Sequence, residues 1–111
     1  MTIHIIRTQA TSDQDQDMLR VYPNQIKLVV DIARKVLAGG GEWNADCEGA
    51  LLQDGSSQDN IWGADWWPDD KKVSFESFIN IRPRLGNRTM ELKDPSKREA
   101  IEKIVRDYFV L

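Results

Sequence analysis

The sequence predicts an α+β domain, a mainly antiparallel meander sheet of about five strands with an N-terminal and a C-terminal helix on one face. Three observations carry this expectation. Ile26, Leu28, Val30 and Ile32 alternate with Lys27, Val29 and Asp31, the period-two pattern of a strand with one face in the core. Turn-forming clusters at Asp54-Gly55, Pro68 to Lys71 and Gly86-Asn87 divide the later apolar runs into short segments, as hairpins require. Finally, Ile101, Ile104, Val105 and Tyr108 recur at spacings of three and four, which makes one helical stripe.

Taken in order, Ile3, Ile5 and Ile6 form a first strand. Thr11 with Gln14 fits a capping box, and Asp13, Asp15 and Asp17 suit the positive end of the helix it would open. Met18, Leu19 and Tyr22 give that helix a narrow apolar stripe, and Pro23 closes it. After the strand at 26–32, Val36-Leu37-Ala38 turns the chain back and runs into Gly39-Gly40-Gly41. Asp54-Gly55, between Leu51-Leu52 and Ile61-Trp62, predicts a hairpin, and Pro68 to Lys71 predicts a second one between 61–67 and a long strand at 73–82. Thr89 to Leu92 would add a last short strand, and Asp94-Pro95 caps and opens the C-terminal helix. Within that helix Glu99 with Lys103 and Glu102 with Arg106 are opposite charges one turn apart.

The 111 residues suit one domain spanning 1–111, and 41% hydrophobic with 30% charged residues is the balance of a chain that packs a core. The single Cys47 cannot form an internal disulfide, and no stretch nears the roughly 20 apolar residues that cross a bilayer. These features predict a cytoplasmic protein with no membrane association. A net charge of −3 argues against a surface built to track nucleic acid. The charge is nonetheless uneven: residues 41–70 hold eight acids and no Lys or Arg, whereas 82–106 hold eight bases against four acids. All four Trp fall in the acidic stretch.

The runs IKLVVDI (26–32), LAGGGE (37–42), ADCE (45–48), DGS (54–56), IWG (61–63), INIRP (79–83), GNRTME (86–91) and DP (94–95) occur in this order over nearly the whole chain. In these the sequence resembles the small prokaryotic proteins catalogued as domain of unknown function 5674. The resemblance implies one cytoplasmic domain and no defined activity. Relatives tend to carry His where this chain has Asn44, so no metal or general-base role is expected at that position.

Two constellations carry candidate chemistry. Arg82, Arg84 and Arg88, with Asn80 and Asn87, crowd guanidinium forks and amides into a strand end and its turn, beside Gly86 where a ligand can approach the backbone. They predict a site for an anionic small molecule or protein partner, or else internal ion pairs with the acidic stretch. Glu42, Asp46 and Glu48 supply oxygen ligands for a divalent metal such as Mg²⁺, and Glu42 and Asp46 share a face if the segment is helical.

Several motifs fail. Asp13, Asp15 and Asp17 open like a calcium loop, but Met18 and Asn24 stand where Gly and Glu are needed. Gly39 to Gly41 lack the Lys and Ser/Thr of a P-loop, and His4 and Cys47 lack the setting of a nucleophile and its base. Three functional readings follow: a non-enzymatic domain binding an anion through the arginines, a metal-assisted phosphohydrolase joining both groups, and a protein that dimerises through its Trp face or a strand edge.

Overall fold

A computed structural model of the chain describes residues 2–109. The elements are β1 (His4–Ile6), α1 (Ser12–Met18), β2 (Ile26–Asp31), β3 (Val36–Gly39), α2 (Asn44–Gln53), β4 (Ile61–Trp67), β5 (Lys72–Ser74) and α3 (Pro95–Tyr108), with 3-10 turns at Gln58–Asn60, Phe78–Asn80 and Pro83–Leu85. The five strands form one antiparallel sheet in the order β1-β3-β2-β4-β5. Together with the helices this is the α+β class expected. The order is not a strict meander: β2–β3 and β4–β5 are hairpins, but β1 joins the edge of β3 and β4 joins the far side of β2.

Both departures come from crossovers. β1 and β2 run parallel with β3 between them and are joined through α1, while β3 and β4 run parallel with β2 between them and are joined through α2. Both connections step the same way across the sheet but leave strands of opposite direction. A right-handed connection in each therefore sends the helices to opposite faces, and the packing agrees.

On one face Met18 of α1 and Ile101, Ile104 and Val105 of α3 pack with Ile26, Leu28, Val30, Leu37, Trp62 and Trp66. On the other, Cys47 and Leu51 of α2 pack with Val29, Val36, Ala38 and Ile61. The N- and C-terminal helices share a face as expected, and the sequence reading left the second face uncovered. β2 is accordingly buried on both sides, Val29 as completely as Leu28 and Val30.

Two predicted hairpin partners are something else. Leu51-Leu52 belongs to the end of α2, and Asp54-Gly55 terminates that helix. Gly55 has φ +109° and donates to the Leu52 carbonyl, while Ser56 N–H reaches the Leu51 carbonyl, the paired bonds of a Schellman motif. The long strand expected at 73–82 stops at Ser74. Beyond it the chain approaches β4 so closely that a Cβ on Gly63 would lie 2.6 Å from Ser77 Cβ. The last strand expected at 89–92 is reduced to a single bridge between Glu76 and Glu91.

α1 and α3 begin as the sequence predicts. Thr11 Oγ1 accepts from Gln14 N–H and the Gln14 side chain accepts from Thr11 N–H. Asp94 accepts from the amides of Ser96 and Lys97. Among the described residues no helix is long and apolar enough to cross a membrane.

Candidate functional site

The segment 75–94 wraps the open edge of β4, and its amides hold it there. Asn80 is fully buried; its Oδ1 accepts from Gly63 N–H at 2.8 Å, and its Nδ2 donates to the carbonyls of Gly63 and Phe75. Asn87 is also buried, donating to the carbonyls of Asn80, Thr89 and Glu91 and accepting from Lys93 N–H. Both amides are engaged with backbone, so they shape the loop.

The three arginines do not converge. Arg82 lies largely inside: its guanidinium donates to the carbonyls of Gln58 and Ile61 at 2.7 and 2.6 Å and to Glu48 at 2.9 Å. Burial pushes its pKa down, against the opposing pull of Glu48. Arg84 is exposed and pairs with Asp59. Arg88 is exposed and makes no ion pair among the described residues.

The acidic trio is likewise dispersed. Glu48 faces Arg82, the Asp46 carboxylate accepts from Trp43 N–H at the start of α2, and the Glu42 carbonyl accepts from the Tyr22 hydroxyl. Among the described residues no group of three or more His, Cys, Asp or Glu side chains is placed to hold a metal ion. The two groups are joined by the Arg82–Glu48 ion pair, between the acidic stretch and the basic one.

What the loop builds instead is a cavity of about 270 Å³ beside Asn87. Trp62 of β4 lines it, together with Leu85, Gly86 and Asn87 from the 3-10 turn and its continuation. Leu92, Lys93, Asp94 and Lys97, where the loop enters α3, complete the lining. Beyond its chain neighbours, no atom lies within 4 Å of where a Gly86 side chain would begin, so the backbone there stands open.

The Trp62 indole is 1% exposed, yet its Nε1–H has no acceptor among the described residues. A buried donor left in this way costs about 1–3 kcal/mol. Two cations attend the same ring, the Arg82 guanidinium 4.7 Å and the Lys97 ammonium 5.7 Å from its centroid. Positive charge over an indole draws electron density to the face and makes the N–H a stronger donor. Asp94, the one carboxylate in the lining, is committed elsewhere: Lys97 and the first-turn amides of α3 hold its pKa below the usual carboxylate range.

The sequence reading reached this place through Gly86 and Asn87 but missed Trp62, Lys93 and Lys97. Trp62 read as core, which it is, and only the fold shows that its polar edge is unpaired. The one local signal was the pair Lys93 and Lys97, four residues apart across the start of a helix. Trp66, considered for a partner surface, is buried and stacks on Phe109 with centroids 6.0 Å apart.

The model of the family described as protein of unknown function (DUF5674) matches residues 4–108, and the chain belongs to that family. No curated protein and no solved structure matches the chain.

Proposed function

We propose that this family member is a non-enzymatic cytoplasmic binding domain whose ligand is a small anion held in the cavity between β4, the 85–94 loop and the first turn of α3. The observation that carries the reading is the pair Lys93 and Lys97 in the lining of that cavity, with the Lys97 ammonium also over the Trp62 ring. An anion answers these cationic surroundings. Asn87 frames the cavity, Arg82 polarises the indole from within, and Arg84 and Arg88 add positive charge to the loop. The buried free thiol of Cys47 suits a reducing compartment.

The test is a thermal-shift screen of organic and inorganic anions on the wild type and on Lys93→Met/Lys97→Met, which keeps the aliphatic stems but removes both charges from the lining. A ligand at 100 times its dissociation constant adds about 2.7 kcal/mol to stability. The expected result is at least one anion that raises the wild-type Tm by several degrees and leaves Lys93→Met/Lys97→Met unmoved. Equal shifts in both proteins, or none in either, overturn the reading.

A second reading, association of two copies, is favoured by the exposed large apolar residues. Trp43 and Leu52 lie at the start and near the end of α2 and Phe78 and Ile81 in the loop after β5, with Phe78 73% exposed. Large apolar side chains left this exposed are the raw material of an interaction surface. Sedimentation should then show a dimer that Phe78→Ser dissociates; a wild-type monomer at high micromolar concentration ends this reading.

A further inference from the structure

We infer that the flank of α3 holds a second ligand site, a cavity of about 320 Å³ that takes an aryl or short acyl chain ending in one anionic group. It lies between the β2–β3 turn and α3, shares no lining residue with the cavity beside Lys93 and Lys97, and stands independently of the reading above. Ala100, Ile104 and Tyr108 follow one another along α3 at intervals of four, so they share one flank of the helix. Ile32 lines the cavity from the turn. Ala100 presents only a methyl group where its neighbours on the flank carry large side chains, and the space beside it stays open.

Hydrogen bonds hold the two walls in place. The Tyr108 hydroxyl donates to the Lys35 carbonyl and ties the helix to the turn. Within the turn, the buried Asp31 carboxylate accepts from the amides of Ala33 and Arg34, and Lys35 N–H returns to the Asp31 carbonyl. A ligand entering walls already fixed loses little to reorganisation. The volume lies within the roughly 300–1,000 Å³ of small-molecule sites. At about 30 Å³ each, the share of one water molecule in the liquid, roughly ten non-hydrogen atoms fill it. Charge then selects the head group. Lys35, Lys103 and Asp107 are the charged residues of the lining, and Lys103 and Asp107 answer each other at 3.1 Å. Lys35 makes no ion pair among the described residues, so one positive charge is left over. Ile32, Ile104 and the Tyr108 ring receive the apolar body, and the Lys35 ammonium on its flexible stem meets the anionic end at the mouth.

The Ala100 methyl group reports on the cavity directly in a carbon–proton correlation spectrum of alanine-labelled protein, where Ala100→Ser identifies its signal by disappearance. Phenylacetate, octanoate, acetate, 2-phenylethanol and phenethylammonium are titrated at matched ionic strength. The expected result is that phenylacetate or octanoate moves the Ala100 signal saturably and at least about tenfold more tightly than acetate, which lacks the apolar body. Phenylacetate should also bind about threefold more tightly than neutral 2-phenylethanol, and Lys35→Met should remove that preference. Ala100→Phe, which fills the space, should keep its Tm or raise it, and phenylacetate should raise the Tm of the wild type but not of this variant.

If none of the five compounds moves the Ala100 signal, or if phenylacetate raises the Tm of Ala100→Phe as much as that of the wild type, the site is overturned. Binding of phenethylammonium as tight as that of phenylacetate overturns the anionic head group, and acetate as tight as octanoate overturns the apolar body. Loss of the Ala100 shift in Lys93→Met/Lys97→Met would place the ligand in the other cavity and overturn the inference while leaving the first reading standing.

Discussion

Asn80 shows what a single side chain contributes to this sheet. Its carboxamide exchanges two hydrogen bonds with the N–H and carbonyl of Gly63, which are the bonds that a facing residue on a neighbouring strand would make. Asn80→Ala leaves both Gly63 groups and the Phe75 carbonyl buried without it, and each such loss costs about 1–3 kcal/mol. Urea unfolding should show a loss of about 3 kcal/mol or more; a loss under about 1 kcal/mol would mean that water replaces the amide. Cys47 makes a second prediction at this scale. Burial pushes its thiol pKa up to about 12 from an ordinary 9.0. Above pH 9 the unfolded chain releases this proton while the folded chain keeps it, so stability falls as pH rises through that window. Relative to Cys47→Ala, whose cavity lowers stability at every pH, the wild type should lose up to about 1.4 kcal/mol per pH unit between pH 9 and 11. Parallel stability curves for the two proteins would contradict this.

The elements divide according to whether their signals are local. β2, β3 and the β4–β5 hairpin were legible from alternation and turn residues, and α1 and α3 from Thr11, Gln14, Asp94 and Pro95. α2 was not legible because its N-cap is Trp43, Gly49 interrupts it, and Leu51 and Leu52 stand next to each other, one buried and one exposed. Asp54-Gly55 misled for a physical reason. Positive φ is demanded equally by a hairpin turn and by a helix C-terminus, and the residue pair alone does not distinguish them. The segment 73–82 has the alternation of a strand, but the side chain of Asn80 takes the place of a backbone partner at Gly63. Gly55→Ala tests the helix ending. Nothing but the tip of Arg34, 3.9 Å away, meets the added methyl group, so the cost is conformational alone, about 1–2 kcal/mol at φ +109°. Circular dichroism melts of Gly55→Ala should show the lower Tm that follows. An unchanged Tm would place the end of α2 elsewhere.

At the scale of the whole molecule, the acidic and basic halves of the sequence are brought together across the sheet edge. Which arginine acts as the brace is a question of burial. Arg82 joins the loop to α2 through Glu48 and to the start of β4 through the carbonyls of Gln58 and Ile61; its side chain is 11% exposed and that of Glu48 15%. Arg84 makes its own contact with Asp59 at 72% and 51% exposure. In sequence the two arginines look alike, two residues apart on one basic run, and only the fold separates them. Breaking a buried pair leaves an uncompensated charge and costs about 3–5 kcal/mol, whereas an exposed pair contributes about 0–1 kcal/mol. Arg82→Ala should therefore lower the unfolding free energy by about 3 kcal/mol, and Arg84→Ala by less than about 1 kcal/mol. The double substitution Arg82→Ala/Glu48→Gln should recover part of the loss, because it removes the stranded carboxylate. Equal effects of the two single substitutions would show that Arg82 is not a brace. Failure of the double to recover would put the stability of Arg82 in its bonds to the two carbonyls, and α2 would then be held to the loop by packing alone.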